Sequence, residues 1–288
     1  MGKKLSLSIL CLFLIVLCFG ASAEASQQLF VKPTDKMELF NEYRTMYSPS
    51  LQNSHLSITI DSDGRFTMRR ADGKWLLFPA SETSAFSIKV DSTVYWSAGH
   101  LSNYITTPLT ILNSGLAYIE YTTPENILVR QTFELASNSR AVLFRVRATN
   151  QDSQAHNVQI RYLFDTQIDQ NDGSPLYAQG VTDKTGSSIC TYETNVTNVS
   201  FSNWKGYDIW PNPSVTTIGT ISTIPDRMVF AWWPDAVSSG WDYPKKDNDN
   251  IDVRDQGWDP DQPFFRNSGG SSPDDDSCVL MYFDLGTI

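Results

Sequence analysis

Asp165, Asp169, Asn171 and Asp172 place four oxygen-bearing side chains in one short stretch, followed directly by Gly173-Ser174-Pro175. Calcium is a hard ion that takes about six to eight oxygen ligands, so this loop could gather around it. The spacing is not that of an EF-hand. An Asx-type turn leaving a strand accounts for the same residues without a metal. The runs Asp247–Asp252 and Asp274–Asp276 offer similar oxygen density, and both readings apply to them as well. Asp61-Ser62-Asp63-Gly64 reads differently: it is a hairpin turn in which Gly64 supplies the positive φ.

A second constellation is aromatic. Six of the eight tryptophans, Trp204, Trp210, Trp232, Trp233, Trp241 and Trp258, fall in one stretch, with nine aspartates among or beside them. Flat rings cover the C–H faces of a polyhydroxylated ligand while carboxylates accept its hydroxyl hydrogens. Trp232 and Trp233 lie in a strand-like run, where alternation sends one ring inward and the other outward. Trp210 ends a short strand before Pro211. Trp204, Trp241 and Trp258, with Asp242 and Asp259, remain as candidates for a carbohydrate-binding face. The same composition describes a β-protein with Trp in its core and Asp in its loops.

Catalytic patterns are mostly absent. There is no G-x-S-x-G elbow, H-E-x-x-H, P-loop or paired Cys–His pattern, and only three histidines occur. A glycosidase needs two carboxylates across a sugar bond. Asp208, Asp235, Asp242 and Asp259 are available, although capping turns explains each one singly. The leading expectation is therefore a non-catalytic protein that binds glycan or another cell-surface ligand. A carbohydrate-active enzyme, hydrolase or epimerase, and a structural envelope protein are the alternatives.

These residues must be positioned by strands. Residues 24–50 read as a lead-in, with apolar residues at helical spacing between Asp35 and Met46 predicting a short helix. The period then falls to two. Leu56, Ile58 and Ile60 alternate with polar partners. In 126–165, three alternating runs joined by polar turns predict a three-stranded antiparallel meander with one buried face. Its other face would carry Arg130, Arg145, Arg147 and Arg161, solvated or paired with acids. Val215–Gly219, Met228–Trp233 and Cys278–Phe283 are later strand candidates. The expected fold is all-β, one domain over 51–288, built as a two-sheet antiparallel β-sandwich.

The N-terminus predicts export. Lys3 and Lys4 precede an apolar run from Ile9 to Phe19, then Ala21-Ser22-Ala23, which fits a signal peptide over 1–23. No second run long enough to span a membrane follows. The expected location is secreted, periplasmic or cell-surface. The net charge of −10 disfavours nucleic acid and anionic membrane as partners. Cys190 and Cys278 remain after the signal, and one bridge or two free thiols are both open.

Asn126 through Asp165 resembles the core meander of galactose-mutarotase-like β-supersandwich domains, which occur in aldose epimerases and beside glycoside hydrolases. The matching pieces are Ile127–Leu135, Arg145–Asn150 and Val158–Asp165. Residues 126–288 also resemble a group of poorly characterised exported prokaryotic β-sandwich proteins. The shared motifs are Leu163-Phe164-Asp165-Thr166, Asn171-Asp172-Gly173-Ser174-Pro175, Arg227 through Trp233, and Asp276-Ser277-Cys278-Val279. The resemblance implies a fold and an exported setting. Two departures stand out. Mutarotase-type epimerases use histidine and glutamate, and no histidine follows His156. The related proteins also run on past the late strand, so the expectation here is either a chain truncated at its C-terminus or a missing closing strand with an exposed edge.

Overall fold

A computed structural model of the chain describes residues 49–79, 83–96, 101–233, 236, 241, 264 and 276–288, with the backbone of 9–16. Strands β1 (Ile9–Val16), β7 (Ile105–Asn113), β8 (Leu116–Thr122), β9 (Ile127–Leu135), β10 (Ala141–Asn150), β12 (Leu176–Ala178), β13 (Ile189–Cys190), β15 (Asn203–Tyr207) and β16 (Thr216–Ile221) make a nine-stranded sheet. Its order is β13-β12-β15-β16-β1-β10-β9-β8-β7. Strands β5 (Ala85–Val90), β6 (Thr93–Trp96), β11 (Asn157–Thr166), β14 (Thr194–Val196), β17 (Arg227–Trp232) and β18 (Ser277–Thr287) make a six-stranded sheet. Its order is β14-β17-β18-β11-β5-β6. A small third sheet holds β2 (Ser50–Gln52), β3 (Leu56–Ile60) and β4 (Phe66–Arg70).

The fold is all-β and antiparallel, as expected. It is not a two-sheet sandwich: the sheets are disposed around one core as a propeller-like ring. Period-two alternation reports which face of a strand is buried, not how many sheets share the interior. Phe66 from the small sheet sits at the meeting point. Its ring centroid lies 4.7 Å from Phe144 and 5.7 Å from Phe133 of the nine-stranded sheet. It lies 5.8 Å from Phe164 and 6.4 Å from Tyr162 of the six-stranded sheet.

The β3–β4 hairpin forms as the sequence predicts, with Ile60 opposite Phe66 and Gly64 at φ 83° in the turn. Arg65 grips Asp63 at 2.8 Å, so the Asp-x-Asp-Gly string serves the turn. The 126–165 meander is corrected. β9 and β10 pair, but β11 crosses to the six-stranded sheet and pairs with β18 and β5. Both sheets bury their inner faces in the same core, so β11 alternates as it would in a meander. Arg130, Arg145 and Arg147 therefore share one sheet, and Arg161 belongs to the other.

The six-stranded sheet is buried on both faces along its middle strands. Leu163, Val229, Ala231, Cys278, Leu280 and Tyr282 form an outer cluster with Ala236 and Trp241. Arg161 lies inside this layer, only 1% exposed. Its guanidinium carbon is 4.0 Å from the ring centroid of Trp96, 5.6 Å from Trp241 and 6.0 Å from Tyr282. Three aromatic faces thus surround a guanidinium whose expected setting was water or acidic partners. Trp232 packs on the main core and Trp233 on the outer cluster, the opposite directions that alternation predicts.

β18 lies between β17 and β11, so the late strand leaves no open edge of its own. The helix expected over 35–46 lies outside the described residues. Ile9–Val16, the core of the expected export signal, is here the strand between β10 and β16.

Candidate functional site

The end of β11 fixes the first carboxylate. Asp165 sits opposite Cys278 of β18, its amide donates to Ser84 Oγ at 3.1 Å, and its carbonyl accepts from Phe78 N at 3.0 Å. The side chain is 2% exposed. Next door, Thr166 Oγ1 donates to Ser277 O at 2.9 Å, tying the strand end to the start of β18.

The chain then turns tightly. Ile168 and Asn171 exchange backbone hydrogen bonds of 2.9 and 3.1 Å. Asp169 takes φ 57°, a conformation that aspartate tolerates better than most residues. Ser174 Oγ closes the loop onto Asn171 O at 2.9 Å. This fold-back brings Asp172 against β18, where its carbonyl accepts from Ser277 N at 3.0 Å and Ser277 Oγ at 3.1 Å. Asp276 immediately precedes β18, and its carbonyl accepts from Trp233 N at 3.3 Å.

Strand end, loop and strand start thus bring three carboxylates together. One oxygen each from Asp165, Asp172 and Asp276 lies within 4.8 Å of the others. Three like charges cannot share such a place unaided. At about 5 Å and an effective dielectric of about 20, each ionised pair would repel by roughly 3 kcal/mol. Burial, followed by the Asp172 charge, pushes the Asp165 carboxyl well above the usual range, against a lowering hydrogen bond from Thr83. Burial, followed by the Asp165 and Asp172 charges, pushes Asp276 up to about 10. One oxygen of Asp165 and one of Asp276 have no hydrogen-bond partner among the described residues.

Protons or a cation can relieve this repulsion. Oxygens bound to calcium at about 2.3–2.6 Å lie up to about 5 Å apart across the ion, so the span fits. Magnesium demands shorter, near-octahedral bonds and fits a relaxed, all-carboxylate set less well.

Of the four residues expected to hold calcium, two enter the cluster, Asp165 and Asp172. Asp169 instead pairs with Lys74 at 2.7 Å. Asn171 donates from Nδ2 to Asp208 O at 2.8 Å and buttresses the loop. Asp276 belongs in sequence to the oxygen-dense run Asp274–Asp276, apart from the loop that holds Asp172. All three aspartates lie in motifs quoted above, each in a separate one, and no spacing in the sequence joins Asp276 to the other two. Trp204 is fully buried and Trp241 is 7% exposed, while Asp242, Trp258 and Asp259 lie outside the described residues. Asp208 caps its own loop, accepting from Ile209 N and Ser214 N, both at 2.9 Å. Cys190 and Cys278 are buried free thiols in different sheets. Burial pushes Cys190 up to about 12 and Cys278 well above the usual thiol range, so neither is a ready nucleophile.

No protein-family model and no curated protein matches the chain.

Proposed function

We propose that this chain is an exported, non-catalytic β-protein that holds a calcium-type cation at Asp165, Asp172 and Asp276 and binds a glycan or another cell-surface ligand on its surface. The convergence of three carboxylates within 4.8 Å carries the cation reading. The burial of Asp165 supports a structural ion over a catalytic centre, since a sugar bond cannot reach that carboxyl. The cation would clamp the loop 168–174 and the end of β11 to the first residues of β18. Its chemistry is charge neutralisation and oxygen coordination, and the three carboxylates supply the ligand atoms. Export is supported by the basic, apolar, small-residue order of the N-terminus, and cleavage of that segment would require the sheet to close without β1 between β10 and β16. The rings of Trp204 and Trp241 are core, so the ligand face draws on other residues.

Terbium luminescence and calorimetry on the full chain test the cation site. Calcium should bind with a stoichiometry of one, raise the melting temperature, and displace terbium. Asp165→Asn should abolish these effects. A chain whose melting is indifferent to both calcium and chelator would sink the reading.

A further inference from the structure

We infer that the groove across the outer face of β7 to β10 is the seat of a neutral glycan. The inference rests on reading the chain as a ligand-binding protein and names the ligand class and the face.

The groove encloses about 840 Å³ between the β7–β8 turn and the Gln52–Asn53 segment. Register builds its floor. Tyr118, Thr132 and Arg145 stand side by side across β8, β9 and β10. Glu134 lies one step along the same face, next to Leu116. Leu112, 58% exposed, forms an apolar rim.

The charges of this floor are balanced within it. Arg145 pairs with Glu134 at 3.0 Å. Arg130 pairs with Glu120 at 2.6 Å and lies 4.7 Å over the ring of Tyr118. Thr107 Oγ1 also donates to Glu120 at 2.5 Å. Each guanidinium already has its carboxylate, so the surface calls for no ionic ligand. It offers fixed donors, fixed acceptors, a hydroxyl and an apolar rim in one concavity. That combination complements a sugar ring, whose hydroxyls both donate and accept and whose C–H face is apolar.

The wall is also built in advance. Asn53 Nδ2 donates to Ala136 O and Ser139 O, both at 2.8 Å, while its Oδ1 accepts from His55 N and Leu56 N. This one side chain locks the small sheet's edge to the β9–β10 turn, so little ordering is left for the ligand to impose.

The test is affinity electrophoresis of the full chain in gels containing dextran, mixed-linkage β-glucan or polygalacturonate. Retardation is expected in at least one neutral gel, with affinity reduced at least tenfold by Arg145→Ala and by the milder Thr132→Ala. Trp210→Ala, on the exposed loop after β15, should migrate as the parent does. Melting temperatures and terbium binding of the groove variants must match the parent, which separates lost ligand contact from lost fold. Repeating the gels in chelator separates the two proposals, because the groove and the carboxylates belong to different sheets. No retardation in either neutral gel, retention in polygalacturonate alone, or loss only with Trp210→Ala would each overturn the groove as the seat.

Discussion

A carboxyl group at the buried end of a strand keeps its charge only if something nearby answers it. For Asp165 and Asp276 the answer is a proton or a cation, and the two compete. Without cation, both native pKa values lie above the unfolded value, so the native state holds protons that the unfolded chain has released. That contribution to stability is complete below about pH 4 and is lost as pH rises toward the Asp276 value of about 10. Chelated protein should therefore melt at falling temperature as pH is raised across this window. Calcium should restore the loss, and its affinity should rise with pH as proton competition fades. Melting scans from pH 5 to 9, with calcium and with chelator, give the comparison; a chelated chain that gains stability with pH would contradict the assignment. Two of the three carboxylates of this site were legible in sequence. Asp165 and Asp172 sit in one oxygen-dense stretch. Asp276 does not, because its place beside them exists only once β18 is docked. Asp169 was misplaced because its positive φ turns it toward Lys74, which no spacing rule reveals.

At the level of elements, alternation was reliable for faces and blind to sheets. The β3–β4 and β9–β10 hairpins were readable because short polar turns leave the chain one nearby partner. β11 was not, since the turn after β10 carries it to a different sheet while its buried face stays buried. The apolar run of β1 is ambiguous for a related reason: an uncharged run suits a central strand and an export signal alike, because neither offers it water. A close approach between β15 and β16 could not be read at all. The Trp204 ring lies directly on Gly219, where an added β-carbon would collide with the indole. Gly219→Ala should destabilise the chain by about 1–3 kcal/mol or more. The urea midpoint would fall, with the slope unchanged if the sheet survives. An unaltered midpoint would mean that the indole relocates freely.

On the scale of the molecule, Trp204, Trp232, Trp233 and Trp241, four of the tryptophans that suggested a ligand face, hold layers together. Trp204 fills the interior, Trp241 shields the outer side of β11 and β18, and Trp233 packs beside it. One aromatic-rich composition can serve a core or a surface, and only the arrangement of sheets decides between them. The surface groove is built from one sheet face whose arginines read, in sequence, as a solvated exterior.

The path by which the clamp assembles follows from how far apart its jaws lie. Thr166 and Ser277, bonded at the site, are 111 residues apart in the chain. The proposed ion site therefore needs both ends of this long loop in place. The three carboxylates meet only when β18 lies between β17 and β11, so capture of the proposed ion would accompany that docking and would not precede it. Stopped-flow terbium emission should rise with the slowest refolding phase. Emission that precedes the docking of β18 would show that local residues suffice to hold the ion.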